Sequence, residues 1–312
     1  MLVPVLSLAS AALALICGLL LPWTITPIVI GLTYAIAALG VSVMVRAGQV
    51  SFGHAMYACI SAYTVAFLAR AFPQLDAIVL IVAGAAASLV CSAIIGVFIV
   101  RYRGIFFGML NLALSMVLYA LLGKLYHLTG GTDGIRLNRP EILGMVLERG
   151  PFEIALLVLT LLLSLVLAWW VQRYFRSGSG EALSGIKTNE TRLEYLGFSA
   201  WYVMWKGYLL SAVVVGFSGS LLALMQGLVT PDIGAWLRSG EFVFITILGG
   251  AGHAAGAFLG AFGFEAVKLV SAAWFPGLWQ FLLGFTLVVV IFIFPTGFVG
   301  QLMRRKRTQA GA

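Results

Sequence analysis

The chain has 312 residues, 62% of them hydrophobic and only 10% Asp, Glu, Lys or Arg, with a net charge of +8. Soluble domains carry about 25% charge, so this composition excludes a water-soluble fold, and its long apolar runs point to membrane helices rather than a β-barrel. The positive balance does not point to nucleic acid, because the basic residues are scattered through short loops between apolar runs.

Taken in chain order, the apolar runs predict spans over 5–21 and 27–45, separated by Pro22 and Pro27. No Lys or Arg precedes the first run, so it reads as a retained span rather than a cleaved leader. Spans over 54–70 and 77–100 follow, divided by Pro73-Gln74-Leu75-Asp76. Spans over 104–123 and 153–171 flank a polar loop, 124–152. A second polar loop, 172–206, leads to a span over 206–225. The stretch 241–270 is apolar but broken by Gly249-Gly250-Ala251-Gly252, and a last span covers 278–298. The expected fold class is therefore an all-α, polytopic transmembrane bundle with about eight full spans plus a broken or re-entrant helix pair. No soluble domain is apparent. Cys17, Cys59 and Cys91 all fall inside apolar runs without metal-ligand spacing, so they read as small core residues and no metal site is expected.

Orientation follows from the placement of Lys and Arg. Arg46, Arg101, Arg103, the loop 172–206 and the tail Arg304-Arg305-Lys306-Arg307 all fall on one side if both termini are cytoplasmic. The loop 124–152 then lies outside. This alternation forces 241–270 to cross twice or not at all, and at about 30 residues it is too short for two full spans. A pair of short helices turning at the glycines satisfies both constraints, and such breaks tend to mark transport routes.

Three polar segments interrupt the apolar pattern. Gly48-Gln49-Val50-Ser51-Phe52-Gly53-His54-Ala55 reads either as a loop folded back into the membrane or as a tight cytoplasmic turn with a capping serine. Leu128-Thr129-Gly130-Gly131-Thr132-Asp133-Gly134-Ile135 reads as a structured turn, a gate or a receptor-docking element. In 180–197, Ala182, Leu183, Ile186, Leu193 and Leu196 fall near helical spacing among charged residues. That pattern predicts one or two short amphipathic helices, lying on lipid or docking in a partner's groove. Asn111, His253, Glu265 and Lys268 are the polar residues within apolar runs. Glu265 and Lys268, three apart, suit a pair on one helix face. Asn111 is the best buried candidate for a functional role, with interhelical hydrogen bonding the alternative. No G-x-x-x-x-G-K-[ST] phosphate loop occurs, so any ATP-driven step requires another chain.

Together these segments resemble the permeases of branched-chain amino acid ABC importers of the LivM/LivH type. Residues 48–57 look like the family's G-x-x-S-[LF]-G-H-A stretch, 129–135 like its T-G-G-[ST]-D-G loop, and 180–197 with Lys206 like its cytoplasmic coupling segment. Pro231, Ser239 and Ile247-Leu248-Gly249-Gly250-Ala251-Gly252 resemble the closing motif. The resemblance covers about 30–300 and is nearer the LivM half. Glu194 stands where alanine is usual, and Gly185 arrives early for the general coupling motif begun by Glu181-Ala182.

The resemblance implies a single transmembrane permease domain over 1–312 in a bacterial inner membrane, with no catalysis and no cofactor of its own. It implies a second homologous permease, two ATPase subunits that use the ATP, and a periplasmic solute-binding protein. The solutes implied are leucine, isoleucine and valine, other amino acids, urea and short amides, or small aromatic acids. Gln49, Ser51, His54, Asn111, Gly249, Gly250 and Gly252 are expected to line the path, which should carry little fixed charge because zwitterions must leave it. Glu181, Ala182, Gly185, Lys187, Asn189, Glu190, Leu196 and Gly197 are expected to form the ATPase-coupling loop. An ion-coupled secondary transporter is the alternative. It calls for a buried carboxylate or cation in a broken helix, and the spans hold little acid besides Glu265. A membrane-embedded enzyme finds no support, since no His/Asp/Glu cluster has ligand spacing.

Overall fold

The computed structural model describes residues 21–274 and 277–293. These form an all-α bundle: α1 (Ile25–Arg46), α2 (Ala55–Ala71), α3 (Ala77–Ile99), α4 (Gly104–Lys124), a single turn α5 (Tyr126–Thr129), α6 (Arg149–Phe175), α7 (Gly178–Thr188), α8 (Glu190–Tyr195), α9 (Ala200–Gln226), α10 (Trp236–Gly249), α11 (Ala254–Trp274) and α12 (Trp279–Ile293). Two two-residue strands, β1 (Ile135–Arg136) and β2 (Leu228–Val229), pair antiparallel. The expected run 5–20 and the basic tail lie outside the described residues.

Six described helices are long and apolar enough to cross a membrane: α1, α3, α4, α6, α9 and α11. Helix α2, at 17 residues, extends about 26 Å, and α10, at 14, about 21 Å, against a hydrocarbon core of about 30 Å. Both are short because irregular chain precedes each of them inside the bundle. Helices α6 and α9 run several residues past the apolar runs that predict them. Polar residues continue them: Arg149 pairs with Glu153 one turn on, and Ser199 Oγ accepts the Tyr202 N–H to cap α9.

The centre is built from small residues. Helix α9 carries Gly207, Gly216 and Gly219 with Ser211, Ser218 and Ser220, all buried. Ser211 Oγ donates to the Gly40 carbonyl and Ser218 Oγ to the Thr33 carbonyl, each at 2.7 Å, which fixes α9 antiparallel to α1. Gly219 lies against the Ala58 backbone of α2, leaving no space for a Cβ. Close approach of this kind is how membrane helices gain packing without a hydrophobic drive, since a single interhelical hydrogen bond contributes only about 0.6 kcal/mol. A second apolar patch (Ile25, Val29 and Leu32 against Leu157 and Leu161) holds α6 on α1. Helices α3, α4 and α6 keep large apolar side chains such as Ile94, Ile105 and Val166 on their outer faces.

The bundle has two chemically distinct ends. Arg46, Arg101, Arg103, Arg173 and Arg176 gather with α7 and α8 at one, here called the basic end. The loop 125–148 and the small sheet lie at the other.

Candidate translocation site

Two irregular segments enter the bundle from opposite ends. The first is 47–54. Gly48 turns the chain at φ +75° beneath the Lys187 side chain, and Gln49 Oε1 accepts the Gly104 N–H at 2.6 Å. The Val50 carbonyl packs over Gly108, and Gly53 lies on the Asn111 backbone. From Gly104 to Asn111 is seven residues of helix, so the segment climbs about 10 Å beside α4. A loop folded back into the bundle fits this path, and a tight turn does not. Gly53 has no substitute, because a Cβ there would collide with the Asn111 carbonyl.

Once inside, the segment meets a buried polar cluster. Ser51 Oγ and His54 Nδ1 are 2.6 Å apart. The His54 ring sits edge-on to Tyr57 and Tyr208, with centroids 5.8 and 5.4 Å away. Tyr57 donates to Tyr208, Tyr208 donates to Asn111 Oδ1, and Asn111 Nδ2 donates to the Phe107 carbonyl, at 2.7, 2.7 and 2.8 Å. This chain of hydrogen bonds ties α2, α9 and α4 together, while His54 Nε2 has no partner. The structure thus brings together Ser51, His54 and Asn111, with Gln49 anchoring the segment below them. Tyr57 and Tyr208 are the members that sequence reasoning missed. The only signal of each is a phenol within an apolar run.

The second segment is 227–235. Gly227, at φ +64°, ends α9, and β2 then pairs with β1, Ile135 opposite Val229. The turn Pro231–Gly234 follows. Gly234 packs on Cys59, and its carbonyl accepts the Ser115 hydroxyl at 2.7 Å. Ser115 is eleven residues along α4, about 16 Å from its start, so Gly234 lies near mid-depth. Helix α10 begins there, and Ser239 Oγ accepts the Ala55 N–H at 2.9 Å. The two segments therefore meet at the start of α2. Thr129 to Gly134 forms the outer root of the second: Thr129 Oγ1 caps the Leu122 and Leu125 carbonyls, and Gly134, at φ +72°, lies on the Val229 carbonyl.

The glycines at 249–252 are elsewhere. They close the α10–α11 hairpin, with Gly249 packed on the Gly256 backbone and Gly250 at φ +90°. The Ala254 N–H donates to Gln172 Oε1, near the end of α6, which puts the turn at the basic end rather than at depth. His253 belongs to this turn as well. Gly249, Gly250 and Gly252 are thus not brought to the polar cluster. The helix pair turns where the glycines predict, but the irregular backbone at depth is in 47–54 and 227–235.

Charge also enters the bundle. Arg238 hydrogen-bonds the Tyr34 hydroxyl and pairs with Glu241 at 3.2 Å. Lys268 pairs with Glu265 at 3.8 Å, as their spacing predicts, and its Nζ lies 5.1 Å from the Tyr34 ring centre. Two cations and two carboxylates thus compensate one another around one phenol and join α1, α10 and α11. Among the described residues, no group of three or more His, Cys, Asp or Glu could hold a metal ion.

The family model for the branched-chain amino acid transport system / permease component matches residues 24–291. The chain belongs to that family. It is 27% identical over 241 residues to the high-affinity branched-chain amino acid transport system permease protein LivM of Escherichia coli (strain K12) and, equally, to LivM of Salmonella typhimurium (strain LT2). The match covers 70% of this chain and 56% of each relative, so the chain spans little more than half the length of the curated relatives it matches. No solved structure matches. The family and the apolar helices together make this a multi-pass membrane protein.

In this chain the segment 180–197 folds as two short helices, within the one or two that its pattern predicts. Ala182, Leu183 and Ile186 are buried, and Leu183 fills the space beside Gly207 and Met44. Gly180 packs on the Tyr174 carbonyl and Gly185 beside Leu193. Asn189 Oδ1 caps α8 through the Arg192 N–H at 2.9 Å. Glu190 holds Arg103 in a two-point pair at 2.9 and 2.8 Å, and Arg103 also bonds the Val100 carbonyl. Glu181 faces solvent, Gly197 turns at φ +86°, and Tyr195 and Leu196 stand 88% and 68% exposed. One face of these helices is packed on the bundle, and the other offers an apolar tip.

Proposed function

We propose that this permease is the transmembrane subunit of a bacterial ABC importer for branched-chain amino acids or related small solutes. The observation that carries this reading is a mechanical link. The Arg103–Glu190 pair and the Lys187 side chain over Gly48 tie α7 and α8 to the segment 47–54. Arg103 is followed by Gly104, whose N–H is held by Gln49. Displacement of the short helices therefore pulls on a segment whose other end carries Ser51 and His54. The junction with 227–235 rests on a few hydrogen bonds and glycine contacts, which is suited to parting and closing.

In this reading the basic end and both termini are cytoplasmic, the membrane is the inner membrane, and α7 and α8 dock on ATPase subunits through Tyr195 and Leu196. ATP is hydrolysed on those separate chains, this chain catalyses nothing and holds no cofactor, and a second permease completes the path. A solute-binding protein docks beside 125–148. The expected result is ATP-dependent uptake in proteoliposomes holding the permeases, the ATPase and the binding protein, and none when the ATPase is omitted. A cysteine at Thr188 should crosslink to the ATPase. Accumulation driven by an ion gradient alone would support the ion-coupled alternative instead.

A further inference from the structure

Asp232 is a carboxylate placed where a lipid-facing one would be costly. It sits in the turn Pro231–Gly234, exposed on this chain's surface. The Tyr119 hydroxyl reaches its Oδ1 at 3.4 Å. Tyr119 is fifteen residues along α4, about 22 Å from the basic end of a helix about 31 Å long. The carboxylate therefore lies inside the opposite mouth of the bundle, below its rim. An ionised Asp against hydrocarbon at depth costs about 3 kcal/mol, so water or a cationic group must cover it.

Three observations say what covers it. Asn111, Ser115 and Tyr119 recur every four residues on α4, so one polar stripe runs from the His54 cluster out to Asp232. The Tyr63 hydroxyl is buried without a hydrogen-bond partner, one helical turn along α2 from Cys59, which packs on Gly234 of the same turn as Asp232. The Arg238 guanidinium, six residues on, is bound to Tyr34 and Glu241, so it moderates the carboxylate without capping it. The result is an anionic acceptor with the Tyr119 phenol against it, at the mouth of the only polar stripe on α4's inner face among the described residues.

We infer that Asp232 is a specificity-determining residue that receives the ammonium group of the solute as it enters the path. This rests on the importer reading. Zwitterionic amino acids are favoured over the corresponding 2-oxo acids, which lack the ammonium, and Arg238 keeps the attraction weak enough for release. The path then carries one fixed charge at its mouth, where sequence reasoning expected little.

The test has two arms, both in the assembled transporter with Cys17, Cys59 and Cys91 replaced by Ala. In the first, Trp236→Cys, four residues beyond Asp232 and likewise exposed, is reacted with a cationic and an anionic methanethiosulfonate of similar size. The cation should react about tenfold faster, and Asp232→Asn should bring the two rates together. Equal rates with Asp232 present, or no reaction with either reagent, overturn the inference, the latter meaning that a partner or lipid covers the site. In the second arm, ATP-driven uptake of radiolabelled leucine should fall at least about tenfold in Asp232→Asn and largely recover in Asp232→Glu, with ATP hydrolysis unchanged. Unchanged leucine uptake in Asp232→Asn also overturns it. Absence of leucine uptake in the parent protein counts against the importer reading, and the reagent ratio still decides the cation site.

Discussion

The glycine-rich segment 48–53 climbs about 10 Å into the bundle, whereas 249–252 closes a helix hairpin at its end. Both join two helices, and both contain a glycine with positive φ. What separates them is the company of polar side chains. Gln49 accepts the Gly104 N–H of α4, and Ser51 and His54 bond each other inside the bundle. Around 249–252 the close contacts are backbone on backbone, Gly249 on Gly256, with one Gln172 bond to the following helix. Glycine permits close approach in either place, and the polar residues beside it decide whether the chain can be at depth.

Substitutions at single glycines sharpen the contrast. Gly53→Ala should have the largest effect, because the added Cβ meets the Asn111 backbone, which cannot yield. We expect a loss of about 3 kcal/mol and little assembled, transport-competent complex, read by yield and uptake. Gly250→Ala comes next. Its φ of +90° strains any L side chain by about 1–2 kcal/mol, so thermal stability should drop while the residual complex transports normally. Tyr208→Phe removes the link between Tyr57 and Asn111 and should cost about 1 kcal/mol, with a larger effect on uptake than on yield. Gly252→Ala should change nothing measurable, since no atom lies within 4 Å of the new Cβ and its φ is not positive. An effect at Gly252 as large as that at Gly53 would erase the distinction drawn between the two segments.

The sequence makes one of these segments legible and misplaces the other. Ser51, His54 and Asn111 stand out because polar residues in apolar surroundings are costly unless partnered, and the structure partners them. Helices α1 to α4 follow the apolar runs to within two residues. The second segment is hidden because Pro231-Asp232 carries the chemistry of a surface turn, and turn chemistry is local. Only the tertiary contacts of Gly234 with Cys59 and Ser115 place it at depth. The place of Arg238 and Glu241 within the bundle likewise shows only in the contact of Arg238 with Tyr34. Tyr208 has no periodic signature, because a phenol suits lipid, core and site equally.

The central claim is that transport parts the two segments where they meet. The Ala55 N–H and Ser239 Oγ, 2.9 Å apart, mark that junction. The most direct measurement places cysteines at Ala55 and Ser239, with Cys17, Cys59 and Cys91 replaced by Ala, and joins them with a short cleavable thiol crosslinker in the assembled transporter. The account predicts that ATP-driven uptake stops when the pair is joined and returns when the link is cleaved, with either single cysteine unaffected. Uptake at the uncrosslinked rate with the pair fully joined would contradict it.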